Sequence, residues 1–218
     1  ESANLNPDEK TLQIIEKARN SAEYLTKVVG TLDKLASRKY YRESSLGDLM
    51  ADILRDAAKS DIAVINSGSL RADLNPGNIT VEKLINVYPF IGKFHVVEIS
   101  GKGVKDLLEH SYSLAYGYAQ MSGVEAVYDS RKTIGARLIS AKINGIPLDE
   151  RKKYSVASSA FVAYGGDDYS MLAKGKVIKE SEKRKIDYFI EFFERENNVV
   201  VPNVGRQIDI ARQIMEEQ

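Results

Sequence analysis

The sequence has no cysteine and only two histidines, His95 and His110. The first absence excludes disulfides, thiolate metal sites and cysteine nucleophiles, and it fits more than one compartment. The scarcity of histidine bears on hydrolytic chemistry, because a two-metal centre draws on several His and Asp ligands in close array. Neither histidine sits in an H-x-D or H-E-x-x-H arrangement, so both read as structural or surface residues and no metal site is expected in this chain. Neither sign of charge is in excess: 31 Lys and Arg balance 31 Asp and Glu, a formal net charge of +0. That sum gives no electrostatic footprint for a nucleic-acid polymer or an anionic membrane. No apolar run approaches the ~20 residues that span a bilayer. No signal peptide is recognisable, and the chain opens at Glu1, as expected of a processed or excised piece.

What is present is an ordinary globular composition: 218 residues, 43% hydrophobic and 28% charged. That length supports one large domain, or a domain with an appendage. Residues 7–29 read as a helix that starts at Pro7-Asp8-Glu9, with Leu12, Ile15, Ala18, Ala22 and Leu25 forming one apolar stripe. Gly30 ends it, and Thr31–Ala36 is a candidate strand. Ser44 or Ser45 caps a second helix over 45–59, whose Leu46, Leu49, Met50, Ile53, Leu54 and Ala57 make a wide buried face. Asp61–Asn66 reads as a buried strand. Thr80 starts a short helix, Phe94–Ile99 is a strand, and Ser100-Gly101 opens a further helix. Residues 113–120 read as a mobile, tyrosine-rich connection. Val124–Tyr128, Leu138–Ile143 and Tyr154–Ser158 are strands, and Asn144-Gly145 is a hairpin turn. Ser181 caps a helix bearing Ile186, Phe189, Ile190 and Phe193, and Ile208–Glu217 is a marginal final helix. The expected architecture is α/β with α+β character: a single compact domain, 31–218, with a mixed sheet flanked by helices, preceded by a linker helix, 1–30.

Three loop motifs carry chemistry. Asn66-Ser-Gly-Ser-Leu-Arg71 follows a buried strand, and ligands favour the carboxyl ends of strands in α/β sheets. Arg71 offers a bidentate fork for a phosphate, although the motif lacks the Gly-Lys-Ser/Thr ending of a P-loop, and an ordinary polar loop reads equally well. Tyr88-Pro89-Phe90-Ile91-Gly92 presents a ring on a stiff bend; core and stacking surface are both open to Phe90. Phe161-Val-Ala-Tyr-Gly-Gly-Asp-Asp-Tyr169 places a ring, a double glycine and two carboxylates within nine positions. A ring and a carboxylate on such a turn suit a flat, hydroxylated ligand; a solvated surface turn is the plainer alternative.

The order and spacing of these motifs, with Arg42-Glu43-Ser-Ser-Leu-Gly47 ahead of them, resemble the C-terminal domain of the 5′-nucleotidase / UDP-sugar hydrolase / 2′,3′-cyclic phosphodiesterase family. The similarity runs from about Gly30 to Gln207. The resemblance implies a domain that binds a nucleoside or nucleotide for a separate N-terminal metallophosphoesterase domain, which holds two divalent metal ions and the catalytic residues. It implies that Phe90 and Phe161 sandwich the base, Asp167 accepts from the ribose hydroxyls, Arg71 contacts phosphate, and Asn66 bonds near the base or ribose. Gly68, Gly165 and Gly166 match glycines that let the backbone approach. A second phosphate-contacting arginine of the family aligns with Tyr40, so Arg38 or Arg42 is the candidate substitute. Ser67 and Ser69 replace two family glycines, and Asp168 stands where glycine is frequent. A periplasmic, cell-surface or secreted location is implied too. A stand-alone, non-catalytic nucleoside-binding module remains the alternative, as does a structural domain with both rings buried.

Overall fold

The computed structural model describes residues 8–212. Helix α1 (Glu9–Thr26) begins at Asp8, whose carboxylate accepts from the Thr11 amide. Pro7 lies outside the described residues. The helix stops four residues before Gly30, because Val28–Leu32 is strand β1. Its apolar stripe is not a buried face: Leu12 and Ile15 are about half exposed, and only Leu25 packs on the core. Helix α2 (Ser45–Ala58) is capped by Ser44, which accepts from Gly47 N, and ends at Lys59 in the left-handed conformation. Strand β2 (Ile62–Asn66) leads into a single 3-10 turn, Ser67–Ser69.

Strand β3 (Gly77–Thr80) precedes α3 (Val81–Val87), capped by Thr80 as expected. Strand β4 (Phe94–Ser100) runs into α4 (Gly101–Ser113), capped by Ser100. The tyrosine-rich connection contains a fully buried strand that local patterning does not indicate, β5 (Ala119–Ser122). Strands β6 (Val124–Tyr128) and β7 (Leu138–Ile143) fall where the period-two pattern puts them, and β8 (Ile146–Pro147) closes the Asn144-Gly145 hairpin. Both turn residues have positive φ, 52° and 77°, the signature of the primed turn that suits a twisted hairpin.

Strand β9 (Lys153–Ser159) enters the short helix α5 (Ala160–Ala163), then a 3-10 turn (Gly166–Asp168) and α6 (Ser170–Ala173). Strand β10 (Lys176–Glu180) is exposed along its whole length, and α7 (Lys185–Glu196) follows. Ser181 does not cap α7: its hydroxyl accepts from Phe94 N and donates to Lys183 O, while Arg184 and Asp187 form the helix start. Strand β11 (Asn198–Val199) follows α7, and Gln207–Asp209 is strand β12, so the helix expected from Ile208 starts only at Ile210 and is helical through Arg212. The remainder of that expected helix, beyond Arg212, lies outside the described residues.

The mixed α/β class holds, with the strands divided among three sheets. The central one has order β10-β4-β9-β2-β5; β11-β1-β3 and β12-β6-β7-β8 flank it. Alternation along the central strands splits the core in two. Ala63, Ile65, Phe94, Val96 and Ala157 face α2, α3 and α7, while Ile62, Val64, Val97, Ile99 and Val156 face α4 and the strands β6 and β7. Each fully buried Leu, Ile or Phe adds about 1.5–3 kcal/mol of transfer free energy, so both faces are well sealed.

One core position breaks the apolar rule. Asp48 in α2 is fully buried, and neither carboxyl oxygen has a hydrogen-bond partner among the described residues. The Arg206 guanidinium stands off at 3.9 Å. Burial, then the charge of Glu43, lift its pKa from 3.8 to about 9, with Arg206 opposing. Asp48 is therefore protonated at neutral pH. Between these two values the folded protein holds a proton that the unfolded chain releases, so stability falls as pH rises through the window. Asp48→Asn is neutral at every pH in that range. It is expected to raise Tm at pH 8 and to flatten the pH dependence of the urea midpoint from about pH 4 to about pH 9; an unchanged slope would contradict the assignment.

Candidate nucleoside cleft

Strand directions bring the three loop motifs to one edge of the central sheet. Strands β2 and β9 are parallel, so Asn66 and Ser159 end side by side. Strand β4 is antiparallel to β9 and pairs Phe94 with Ser159, so the segment just before β4 arrives at the same edge. Strand β10 is antiparallel to β4, and Ser181 N bonds Phe94 O, which brings the start of α7 there as well.

The result is a cleft of ≈ 750 Å³. Asn66, Gly68, Ser69 and Arg71 line one side, Tyr88–Gly92 another, and Ser159–Phe161 with Asp167 a third; Tyr40 and Lys185 complete it. Phe90 is 42% exposed and Phe161 57%, whereas Tyr88 beside them is 2% exposed. A core role for the two rings is thereby overturned. Tyr88 holds Phe90 by an edge contact of 5.7 Å. Burial pushes the Tyr88 phenol up to about 12, with Ser69 and Ser159 hydroxyls beside it, so it is a neutral donor. The Arg71 guanidinium lies over the Phe90 ring at 5.4 Å, a cation–π contact.

Asp167 is fixed from two directions. Asn66 Nδ2 donates to Oδ2 at 2.8 Å, and the Ser69 hydroxyl donates to Asn66 Oδ1, which sets the amide orientation. The backbone carbonyl of Asp167 accepts from His110 Nε2 at 2.9 Å. His110 is in turn packed edge-on against Tyr169 at 4.7 Å. Oδ1 of Asp167 has no partner among the described residues and can accept a ligand hydroxyl. Asp167 and Asp168 both have positive φ, 52° and 59°, a conformation that costs most side chains roughly 1 kcal/mol or more.

Among the glycines of the three motifs' predicted contacts, Gly68 lines the cleft, and a Cβ there would meet nothing closer than 3.8 Å. Gly165 takes φ 93° to turn the chain, and Gly166 packs so tightly that a Cβ would come within 2.4 Å of the Phe161 ring. Both therefore shape the motif from behind. Arg38 and Arg42 are not brought to the cleft. Neither lines it: the Arg38 guanidinium donates to Leu70 O at 3.4 Å, beside Arg71 but outside the lining, while the Arg42 carbonyl accepts from Gln120. Tyr40 occupies the wall instead. Ser69 and Tyr88 belong to the loop motifs but carried no assigned role there; Ser159 and Lys185 line the cleft without any sequence signal, and His110 of α4 supports it from behind through the Asp167 carbonyl.

The family model for "5'-nucleotidase, C-terminal domain" matches residues 28–174, the span that builds most of this cleft. The chain belongs to that family. It is 29% identical over 180 residues to the trifunctional nucleotide phosphoesterase protein YfkN of Bacillus subtilis, covering 77% of this chain and 12% of that protein. It is 27% identical over 224 residues to the snake venom 5'-nucleotidase of Crotalus adamanteus, covering 91% of this chain and 38% of that protein. The crystal structure of a 5'-nucleotidase precursor from Thermus thermophilus shares the fold at TM-score 0.80 and 23% identity, over 91% of this chain and 42% of that one. The chain thus spans well under half the length of these relatives.

Gly166→Ala separates the cleft from the fold. The added methyl displaces an exposed ring, so Tm should change little. Nucleoside affinity should fall by up to the worth of one stacking face, about 1–3 kcal/mol. Parallel calorimetry of melting and binding checks this; equal loss of both would point to general damage.

Proposed function

We propose that this chain is the nucleoside- or nucleotide-binding part of a metal-dependent 5′-nucleotidase-type phosphoester hydrolase. The observation that carries the reading is the pairing of two half-exposed phenylalanines with a fixed carboxylate in one cleft. A base slides between Phe90 and Phe161 and a ribose hydroxyl donates to Asp167 Oδ1. Arg71, which lies over Phe90, is within the same cleft and can turn its fork to a phosphate. Asn66 and Ser69 offer further polar contacts.

The bond-breaking groups lie elsewhere on this reading. Among the described residues no group of three His, Asp or Glu is placed to hold a metal ion. The two divalent ions are assigned to an N-terminal metallophosphoesterase domain of a longer parent chain. The residues of this chain bind and orient the substrate, which places the phosphorus for attack from outside. Family membership and the venom relative support a periplasmic, cell-surface or secreted setting. No helix of the described residues is long and apolar enough to cross a membrane.

The isolated chain is expected to bind nucleosides weakly and to hydrolyse no nucleotide. Weak binding follows from an open cleft that must offset the lost translational freedom of the ligand. Titration with adenosine and inosine, followed by NMR, should move the signals of Phe90, Phe161 and Asp167. Phe90→Ala and Phe161→Ala should each lose about 1–3 kcal/mol of affinity. Shifts confined to other surfaces would overturn the assignment.

A further inference from the structure

Lys185 lines the cleft, yet nothing in the binding scheme so far uses it. It is 2% exposed, and lysines are almost never fully buried unless paired. It is the first residue of α7, at the end of a helix whose dipole disfavours a cation. Burial alone pushes its ammonium down to about 8, with no carboxylate to oppose the shift. At neutral pH it is still mostly charged.

Its Nζ donates to Gly92 O at 2.6 Å and to Lys93 O at 3.1 Å, and lies 5.6 Å from the centre of the Tyr88 ring. An ammonium carries three N–H donors and no acceptor. Two are spent on these carbonyls, and the third has no acceptor among the described residues. A buried donor left unpaired is costly, and such groups concentrate at ligand sites. The carbonyls belong to the segment that carries Phe90, so the ammonium sits beside one of the two ring walls. The rings grip the faces of a base and are indifferent to its identity. Its edge is what distinguishes one base from another, and Lys185 meets an edge with donors only.

We propose that Lys185 reads the edge of the base and selects nucleosides bearing a keto oxygen there, 6-oxopurines and 4-oxopyrimidines, over their amino counterparts. The inference rests on the nucleoside reading of the cleft. A keto oxygen accepts the third N–H, while an exocyclic amino group turns donor against donor. Adenine and cytosine keep ring-nitrogen acceptors, so the discrimination amounts to about one hydrogen bond to a charged group, roughly tenfold.

Calorimetric titration of the 218-residue chain at pH 7 with inosine, adenosine, uridine and cytidine tests this. Inosine should bind about tenfold tighter than adenosine, and uridine about tenfold tighter than cytidine. Lys185→Met keeps the apolar stem and removes the donors, and should bring both ratios close to one. Were Lys185 merely a strut for the Phe90 segment, the variant would weaken all four ligands alike and keep the ratios, which would overturn the proposal. Equal wild-type affinities, or a preference for the amino bases, would overturn it and leave the cleft assignment standing. Failure of all four to bind would overturn the cleft assignment itself. If melting shows the variant unfolded, the wild-type ratios decide alone.

Discussion

The pairing of β9 with a neighbour on each side is the constraint from which the site follows. It runs antiparallel to β4 through seven matched residues and parallel to β2 on its other edge. Because all three strands are buried on both faces, a slip of one residue would turn Ala157 and Val156 to the wrong cores. The register is thus fixed by packing, and the positions of Asn66, Phe161 and the Phe90 segment are fixed with it. Direct contacts between the motifs, Asn66 with Asp167 and Arg71 with Phe90, add to what the strands set. The same logic recruits β10 and hence the start of α7, which explains how a lysine far along the chain reaches the cleft.

On that rigid edge the Gly165–Asp168 turn is the strained component. Two successive aspartates hold left-handed backbone, a conformation usually left to glycine. The strain is offset locally: His110 bonds the Asp167 carbonyl, and Asn66 bonds its carboxylate. These contacts hold the Asp167 carboxylate in the cleft lining. The motif is therefore a positioning device whose accuracy depends on α4 and β2 as much as on its own residues.

Much of the fold was legible in the sequence where local rules agree with the tertiary result. Ser44, Thr80 and Ser100 cap helices as their types require, and β6, β7 and the Asn144-Gly145 turn follow alternation and turn chemistry. Legibility failed where distant partners decide. Strand β5 carries Gln120 and Ser122, polar residues that look like a loop until Gln120 meets Ser44 and Ser67, and Ser122 meets Asp52. Strand β10 is an exposed, lysine-rich edge, a composition that protects an edge from aggregation and hides it from hydrophobic patterning. The stripe on α1 has helical spacing without burial, so periodicity alone overstated its packing. In the site, the resemblance supplied Phe90, Phe161, Asp167, Asn66 and Arg71, all of which line the cleft. It supplied nothing for Lys185 or His110, whose roles depend on which atoms they touch.

Asp48 and Lys185 show how differently a buried ionisable group can be accommodated. Asp48 lies in the core away from the cleft lining, and burial with Glu43 nearby lifts it to about 9, so it sheds its charge at neutral pH. The core then holds a neutral, if poorly bonded, carboxyl. Lys185 is displaced only to about 8, and two carbonyls help it retain the ammonium. Neutralisation would be the cheaper answer in a purely structural role, as it is for Asp48. A retained charge, with an N–H to spare and a cavity in front of it, is the arrangement expected where an incoming acceptor supplies the missing partner. On the proposed reading the cleft combines two stacking rings, one fixed carboxylate and one donor-only cation, and the last of these is the element with the means to tell one base from another.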